Sequence, residues 1–169
     1  MMRFILHGLD PKTISPKPEW NKGDFIITTN KSGVNINPYL KKEYNKFLKN
    51  LVTWTFKNKG VTYFDKTVWS WKPLWTFVCS NCDDFLTDED AEGGSHNNGY
   101  TVNKTKAKKI AQRLRKLIAS GDVSAYKTLY DQYLESLPNA HDDKAYPFEI
   151  EDVKEFERFC ELSGGFEIC

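Results

Sequence analysis

The residues best suited to chemistry sit together near the middle of the chain. Val68–Trp75 reads VWSWKPLW and places Trp69, Trp71 and Trp75 within seven residues, three of the chain's five tryptophans. Indole is a broad apolar surface with one N–H donor, so such a cluster builds either a core or a platform on which a planar ligand stacks. Six acids in ten residues follow, from Asp83 to Glu92, and then the loop Gly93-Gly94-Ser95-His96-Asn97-Asn98-Gly99. His96, Asn97 and Asn98 offer donors and acceptors at neutral pH. If that loop folds back over the rings, apolar walls and a few fixed polar groups make a pocket. Lys106 or Arg113, just downstream, would meet a phosphate. The candidate ligand-binding set is therefore Trp69, Trp71, Trp75, His96, Asn97, Asn98, Lys106 and Arg113. The competing reading is a tryptophan core beside a surface loop whose asparagines cap turns.

Other constellations are weaker. Cys79-x-x-Cys82 has a zinc-ligand spacing, and His96 or Cys160 could complete a tetrahedron. It has no second pair, and its place within a helix favours buried structural thiols. Asp88-x-Asp90-x-Glu92-Gly93 matches the first half of a calcium loop, but Gly99 stands where the bidentate glutamate belongs. A hydrolase using His96 with Asp88 or Asp90 on a divalent cation is a third reading. No GxSxG, Walker or dinucleotide glycine pattern occurs. The expectation is a noncatalytic protein with no cofactor and no bound metal.

Charge is balanced overall but uneven along the chain. The formal net charge is +1, yet Tyr39–Lys59 carries six lysines against Glu43, and Lys104–Lys116 carries seven basic residues and no acid. Such blocks form solvated faces that neutralise each other, or a basic groove for phosphates. Direct nucleic-acid binding ranks last because the charges nearly cancel. No apolar run is long enough for a bilayer, and MMRFILHGLD lacks a signal-peptide core. The expected location is the cytoplasm, with the four cysteines as free thiols.

Elements must position these groups. Residues 1–23, with three prolines, read as extended or irregular chain. Asp24–Thr29 and Val34-Asn35-Ile36 flank a glycine-containing turn and read as a hairpin. Pro38 opens a helix carrying Leu40, Tyr44, Phe47, Leu48, Leu51 and Trp54 or Thr55 on one face and stopping near Gly60. Gly60–Thr67 reads as a link. Pro73 suits the first turn of the next helix, with Leu74, Phe77, Val78, Cys82 and Phe85 inward. Thr87 caps a short turn, and Gly93–Gly99 reads as loop. Asn103 caps the clearest helix, whose stripe is Ala107, Ile110, Ala111, Leu114, Leu117 and Ile118, with Gly121 as its stop. Val123–Leu137 forms another, ended by Pro138. A last helix carries Val153, Phe156, Phe159 and Cys160 to Gly164-Gly165, and Phe166–Cys169 docks on the body. The fold class is α+β, mainly α: a single compact domain of about five helices with a small N-terminal β-hairpin. Residues 1–62 form an N-terminal extension and 63–169 a core.

Two segments carry a resemblance. Tyr63-Phe64…Val68-Trp69-Ser70-Trp71-Lys72-Pro73-Leu74-Trp75 resembles the YFRNNVWWWRPLW segment of a family of uncharacterised phage and bacterial proteins. In that family an HxNDG-type loop, an amphipathic helix and a segment ending SGGFEI follow. Here these are Ser95–Gly99, Thr105–Ser120, and Tyr146-Pro147-Phe148…Ser163-Gly164-Gly165-Phe166-Glu167-Ile168. Asn98 replaces the family's usual aspartate, and the following Asp-Gly is absent. The resemblance spans Tyr63 to Cys169 and implies a phage or bacterial accessory protein, without naming a mechanism. The expected partner is a small polar or nucleotide-like ligand, held without catalysis to counter host defence. The alternative is a host protein inhibited through the charged faces.

Overall fold

The computed structural model describes residues 2–20, 26–30, 33–36 and 40–169, with backbone alone for 26–30 and 33–36. Contacts divide the chain into two compact units, Met1–Lys12 with Gly60–Cys169, and Thr13–Lys59. The fold is α+β and mainly α.

The larger unit is a four-stranded antiparallel sheet covered by helices. Its first strand is β1 (Arg3–Gly8), within the segment expected to be extended or irregular chain. Phe4 and Leu6 point inward and are buried, while Arg3, Ile5 and His7 point outward, the period-two alternation of a half-buried strand.

The smaller unit holds β2 (Ile26–Asn30) and β3 (Gly33–Ile36), an antiparallel pair that forms the expected hairpin. Asp24, Phe25, the turn residues Lys31 and Ser32, and Pro38 lie outside the described residues. Helix α1 (Lys41–Lys57) follows, and Asn58 closes it. The Asn58 side chain is buried, accepting the Ile14 N–H (2.8 Å) and donating to the Trp54 carbonyl (2.8 Å). Leu48, expected inward, is exposed with Val52 and Phe56 in a row spaced four residues apart.

Back in the larger unit, β4 (Tyr63–Thr67) replaces the expected link and pairs with β1. Helix α2 (Val68–Asn81) starts five residues before Pro73, which lies inside it. Helix α3 (Asp88–Gly94), strand β5 (Tyr100–Val102), helix α4 (Lys104–Ser120) and helix α5 (Asp122–Ser136) come next. A 3-10 turn at Asp142–Ala145 leads to α6 (Ile150–Leu162) and β6 (Phe166–Ile168). The strand order is β4-β1-β6-β5.

Local chemistry explains the best-defined boundaries. The Asn103 side chain accepts the Lys106 N–H (2.9 Å) to start α4, and Gly121 takes the left-handed conformation (φ 85°) that ends it. Phe64, Trp71, Phe156, Phe159 and Phe166 meet between sheet and helices, with ring centroids 5.2–6.4 Å apart for the pairs in contact. Four of the seven basic residues on α4 are paired with acids. Lys104 pairs with Asp10, Lys106 with Asp90, Arg113 with Asp84, and Arg115 with Glu157 and Glu161. Among the described residues, no helix is long and apolar enough to cross a membrane.

Candidate functional site

Helix α2 turns two differently treated aromatic faces to its surroundings. Trp71 and Trp75, one turn apart, stack on each other with centroids 5.3 Å apart. Trp71 is 0% and Trp75 3% exposed. Their indole N–H groups donate to carbonyls near the C-terminal end of α3, Trp71 to Gly94 (2.8 Å) and Trp75 to Ala91 (3.0 Å). These carbonyls are among those a short helix leaves without internal partners, so one contact satisfies both groups.

Packing this tight accounts for Gly93-Gly94. A Cβ on Gly94 would lie 2.1 Å from the Trp75 ring, and one on Gly93 would lie 2.3 Å from the Tyr100 ring. The expected Gly93–Gly99 loop therefore begins later, because its first two glycines are the last residues of α3. They are glycine to let rings approach the backbone.

Below these contacts, Asp90 is an acid within the acidic run that is not solvated. It is 1% exposed and serves as the third residue of a capping box begun by Thr87. Its carboxylate accepts the Thr87 N–H (2.8 Å), the Tyr100 hydroxyl (2.9 Å) and the Lys106 ammonium (2.6 and 2.8 Å). Burial raises the carboxyl pKa, but Lys106 and the Thr87 and Tyr100 donors outweigh it and hold Asp90 below its ordinary value. Burial, reinforced by Asp90, pushes Tyr100 up to about 12. The acidic run thus opens a helix instead of forming a calcium loop, and Lys106 is committed to Asp90.

On the other face of α2, Lys72, Pro73 and Thr76 look across to Tyr126, Tyr130 and Tyr133 of α5 and to Tyr146 after the 3-10 turn. They enclose a cleft of about 380 Å³, with Ser95 and Asp143 at its edge and Trp75 in its lining. That volume lies in the range of small-molecule sites, about 300–1,000 Å³. The tyrosines stand at i, i+4 and i+7 on α5 and share one helix face. The Tyr130 hydroxyl donates to the Tyr146 carbonyl (2.8 Å), and the Tyr133 hydroxyl donates to the Asp143 carboxylate (2.8 Å). Burial pushes Tyr130 up to about 12, and the bond to Asp143 raises Tyr133. Both phenols are therefore neutral at pH 7. The Lys72 ammonium lies 5.0 Å from the centre of the Tyr146 ring and forms no ion pair among the described residues.

The eight residues expected to form one pocket are dispersed. Trp71 and Trp75 lie in the lining of this cleft, although Trp71 offers no exposed surface. Trp69 is 39% exposed and packs on Tyr146, centroids 4.9 Å apart. His96, Asn97 and Asn98 are exposed, and two bonds tie their loop to the sheet. His96 Nδ1 lies 2.9 Å from the Glu92 carbonyl, Asn97 donates to the Arg3 carbonyl (3.3 Å), and the Gly99 N–H donates to that of Ile168 (2.8 Å). Arg113 is held by Asp84 and the Asn81 carbonyl beside the Phe85 ring. Neither Lys106 nor Arg113 reaches the cleft. Its cation is Lys72, and its walls come from tyrosines of α5, a segment read in the sequence only as a helix. The spacing Tyr126-x3-Tyr130-x2-Tyr133 was the available signal.

Three of the four cysteines are wholly or partly buried, and Cys169 is exposed. Burial pushes Cys79 and Cys82 up to about 12, and Cys160 also well up, so all three are thiols at neutral pH. Among the described residues, no three His, Cys, Asp or Glu side chains gather to hold a metal. Comparison with protein-family models, with curated proteins and with solved structures finds no match to this chain.

Proposed function

We propose that this protein acts by binding, without catalysis, and that the cleft between α2 and α5 holds a small polar, nucleotide-like ligand. The observation that carries this reading is the cleft itself: tyrosine faces, a tryptophan in the lining and a cation with no carboxylate partner among the described residues. A planar base would lie against the tyrosines and its phosphate would turn to Lys72. Stacking contributes about 1–3 kcal/mol per base and tolerates different bases. A neutral phenol pair and a Ser95 hydroxyl already donating to the Ala91 carbonyl (2.8 Å) supply hydrogen bonding in place of a nucleophile and base. The resemblance of Tyr63–Cys169 to phage and bacterial proteins supports a phage-type accessory role in the host cytoplasm, where sequestering a host signal would counter defence.

Mass spectrometry of small molecules released on denaturation should find a nucleotide-like compound. In calorimetry with adenosine monophosphate, Lys72→Met should weaken binding about tenfold, the weight of one charge-assisted contact. No released compound and no heat with the wild-type protein would end this reading.

A second reading, inhibition of a host protein through charged faces, has one observation in its favour. Lys42, Lys46 and Lys49 share an exposed face of α1 and form no ion pair among the described residues. Reversing all three charges would abolish capture of an acidic partner and leave nucleotide binding unchanged.

A further inference from the structure

A second cleft adjoins the first. It has a volume of about 340 Å³ and is lined by Trp69 of α2 and by residues of the 139–146 segment, including His141, Lys144 and Tyr146. Tyr146 lines both clefts. Its ring contacts Trp69, while Lys72 lies near the same ring. Trp69, Lys72, Pro73 and Thr76 are spaced i, i+3, i+4 and i+7, so α2 presents them as one continuous row passing from the second cleft to the first.

We infer that the two clefts are subsites of one groove, and that its ligand has two planar units joined through a phosphate, the chemistry of a dinucleotide. This rests on the binding reading above and specifies its ligand class. Each cleft alone is at the small end of the size range for ligand sites, which suits one base with its sugar. Tyr146 stands between the two subsites, and Lys72 is placed where the linking phosphate would pass. Trp69, with more than a third of its surface exposed, supplies the second stacking surface. His141 supplies the second subsite with a directional group. Its Nδ1 accepts the Asp143 N–H (3.2 Å), so the neutral ring carries its proton on Nε2 as a donor. Asp142 and Lys144 both line this cleft and offset each other in charge, which leaves Lys72 as the cation for a phosphate lying between the two bases.

The test is calorimetry of the full chain with adenosine monophosphate and with the linear dinucleotide ApA, using wild-type protein and Trp69→Ala. The dinucleotide should bind at least about tenfold more tightly than the mononucleotide. Trp69→Ala should bring the ratio of the two affinities, both measured on the same variant protein, down to about one. Equal binding of the two probes to wild-type protein, or a dinucleotide advantage that survives Trp69→Ala, would overturn the two-subsite groove and leave the single-site reading standing. Failure of both probes to bind would overturn both.

Discussion

The indole pair Trp71–Trp75 and the tyrosine set Tyr126, Tyr130, Tyr133 and Tyr146 flank the same helix, yet they are finished differently. The indoles have their N–H groups satisfied by α3 and almost no surface left to water. The tyrosines have their accounted-for hydroxyls tied at the rim, while their rings border open space. Density of aromatic residues along the sequence therefore did not distinguish a core from an open aromatic face. What distinguishes them is whether another element covers the faces. Here the short helix α3, with two glycines at its end, covers the tryptophans and leaves the tyrosines open.

The contrast can be broken most severely at Trp71. Trp71→Ala should cost about 4 kcal/mol of stability in denaturant unfolding, the usual scale for removing a buried indole. A loss below about 1 kcal/mol would remove the distinction between covered and open rings.

Next is the lock that holds α3 over them. Asp90→Ala should cost about 3 kcal/mol at pH 7, because it strands the half-buried Lys106 ammonium and the Thr87 and Tyr100 donors. Since the folded pKa of Asp90 is depressed, its contribution is fully present above the unfolded carboxylate pKa and is lost as pH falls through the lower folded value. Unfolding measured from pH 7 into the acid range should therefore show a shallower loss of stability in Asp90→Ala than in wild type. Parallel curves would contradict the lock.

Gly94→Ala should cost about 2 kcal/mol, because its Cβ forces the Trp75 ring to move. The near-ultraviolet circular dichroism of the indoles should change with it, and an unaltered spectrum would contradict the close approach. The smallest stability effect belongs to the open cluster. Tyr133→Ala should change stability by less than about 1 kcal/mol, as its ring is 46% exposed, yet weaken nucleotide binding about tenfold. A large loss of stability with unchanged affinity would reverse the roles of the two clusters.

Much of the fold was legible because helices announce both their faces and their ends. Asn103, Gly121 and the stripe from Ala107 to Ile118 define α4, and Val153, Phe156, Phe159 and Cys160 define the inner face of α6. Strands β1 and β4 were harder to read. Each has only five or six residues, and β4 mixes Asp65 and Lys66 among its apolar residues. Their charges are satisfied at a distance, Arg3 by Asp65 across the sheet and Lys66 by Asp152 and Glu155 on α6. Such pairing is a property of the assembled sheet and leaves no local periodicity. The start of α2 was misplaced because Pro73 suits a first helical turn but here occupies an interior position. The candidate site was half legible. The aromatic block on α2 was visible, but its partners are contributed by α5 and the turn before α6, more than fifty residues away along the chain. His96, Asn97 and Asn98 lay nearer in sequence, but strand β5 draws their loop toward the sheet.

The most direct test is to map the binding surface by nuclear magnetic resonance while titrating adenosine monophosphate into the full chain. The account predicts that the perturbed resonances gather at Lys72, Tyr130, Tyr133 and Tyr146. Perturbations centred on His96–Gly99 and Lys106 instead, or none at any residue, would contradict it.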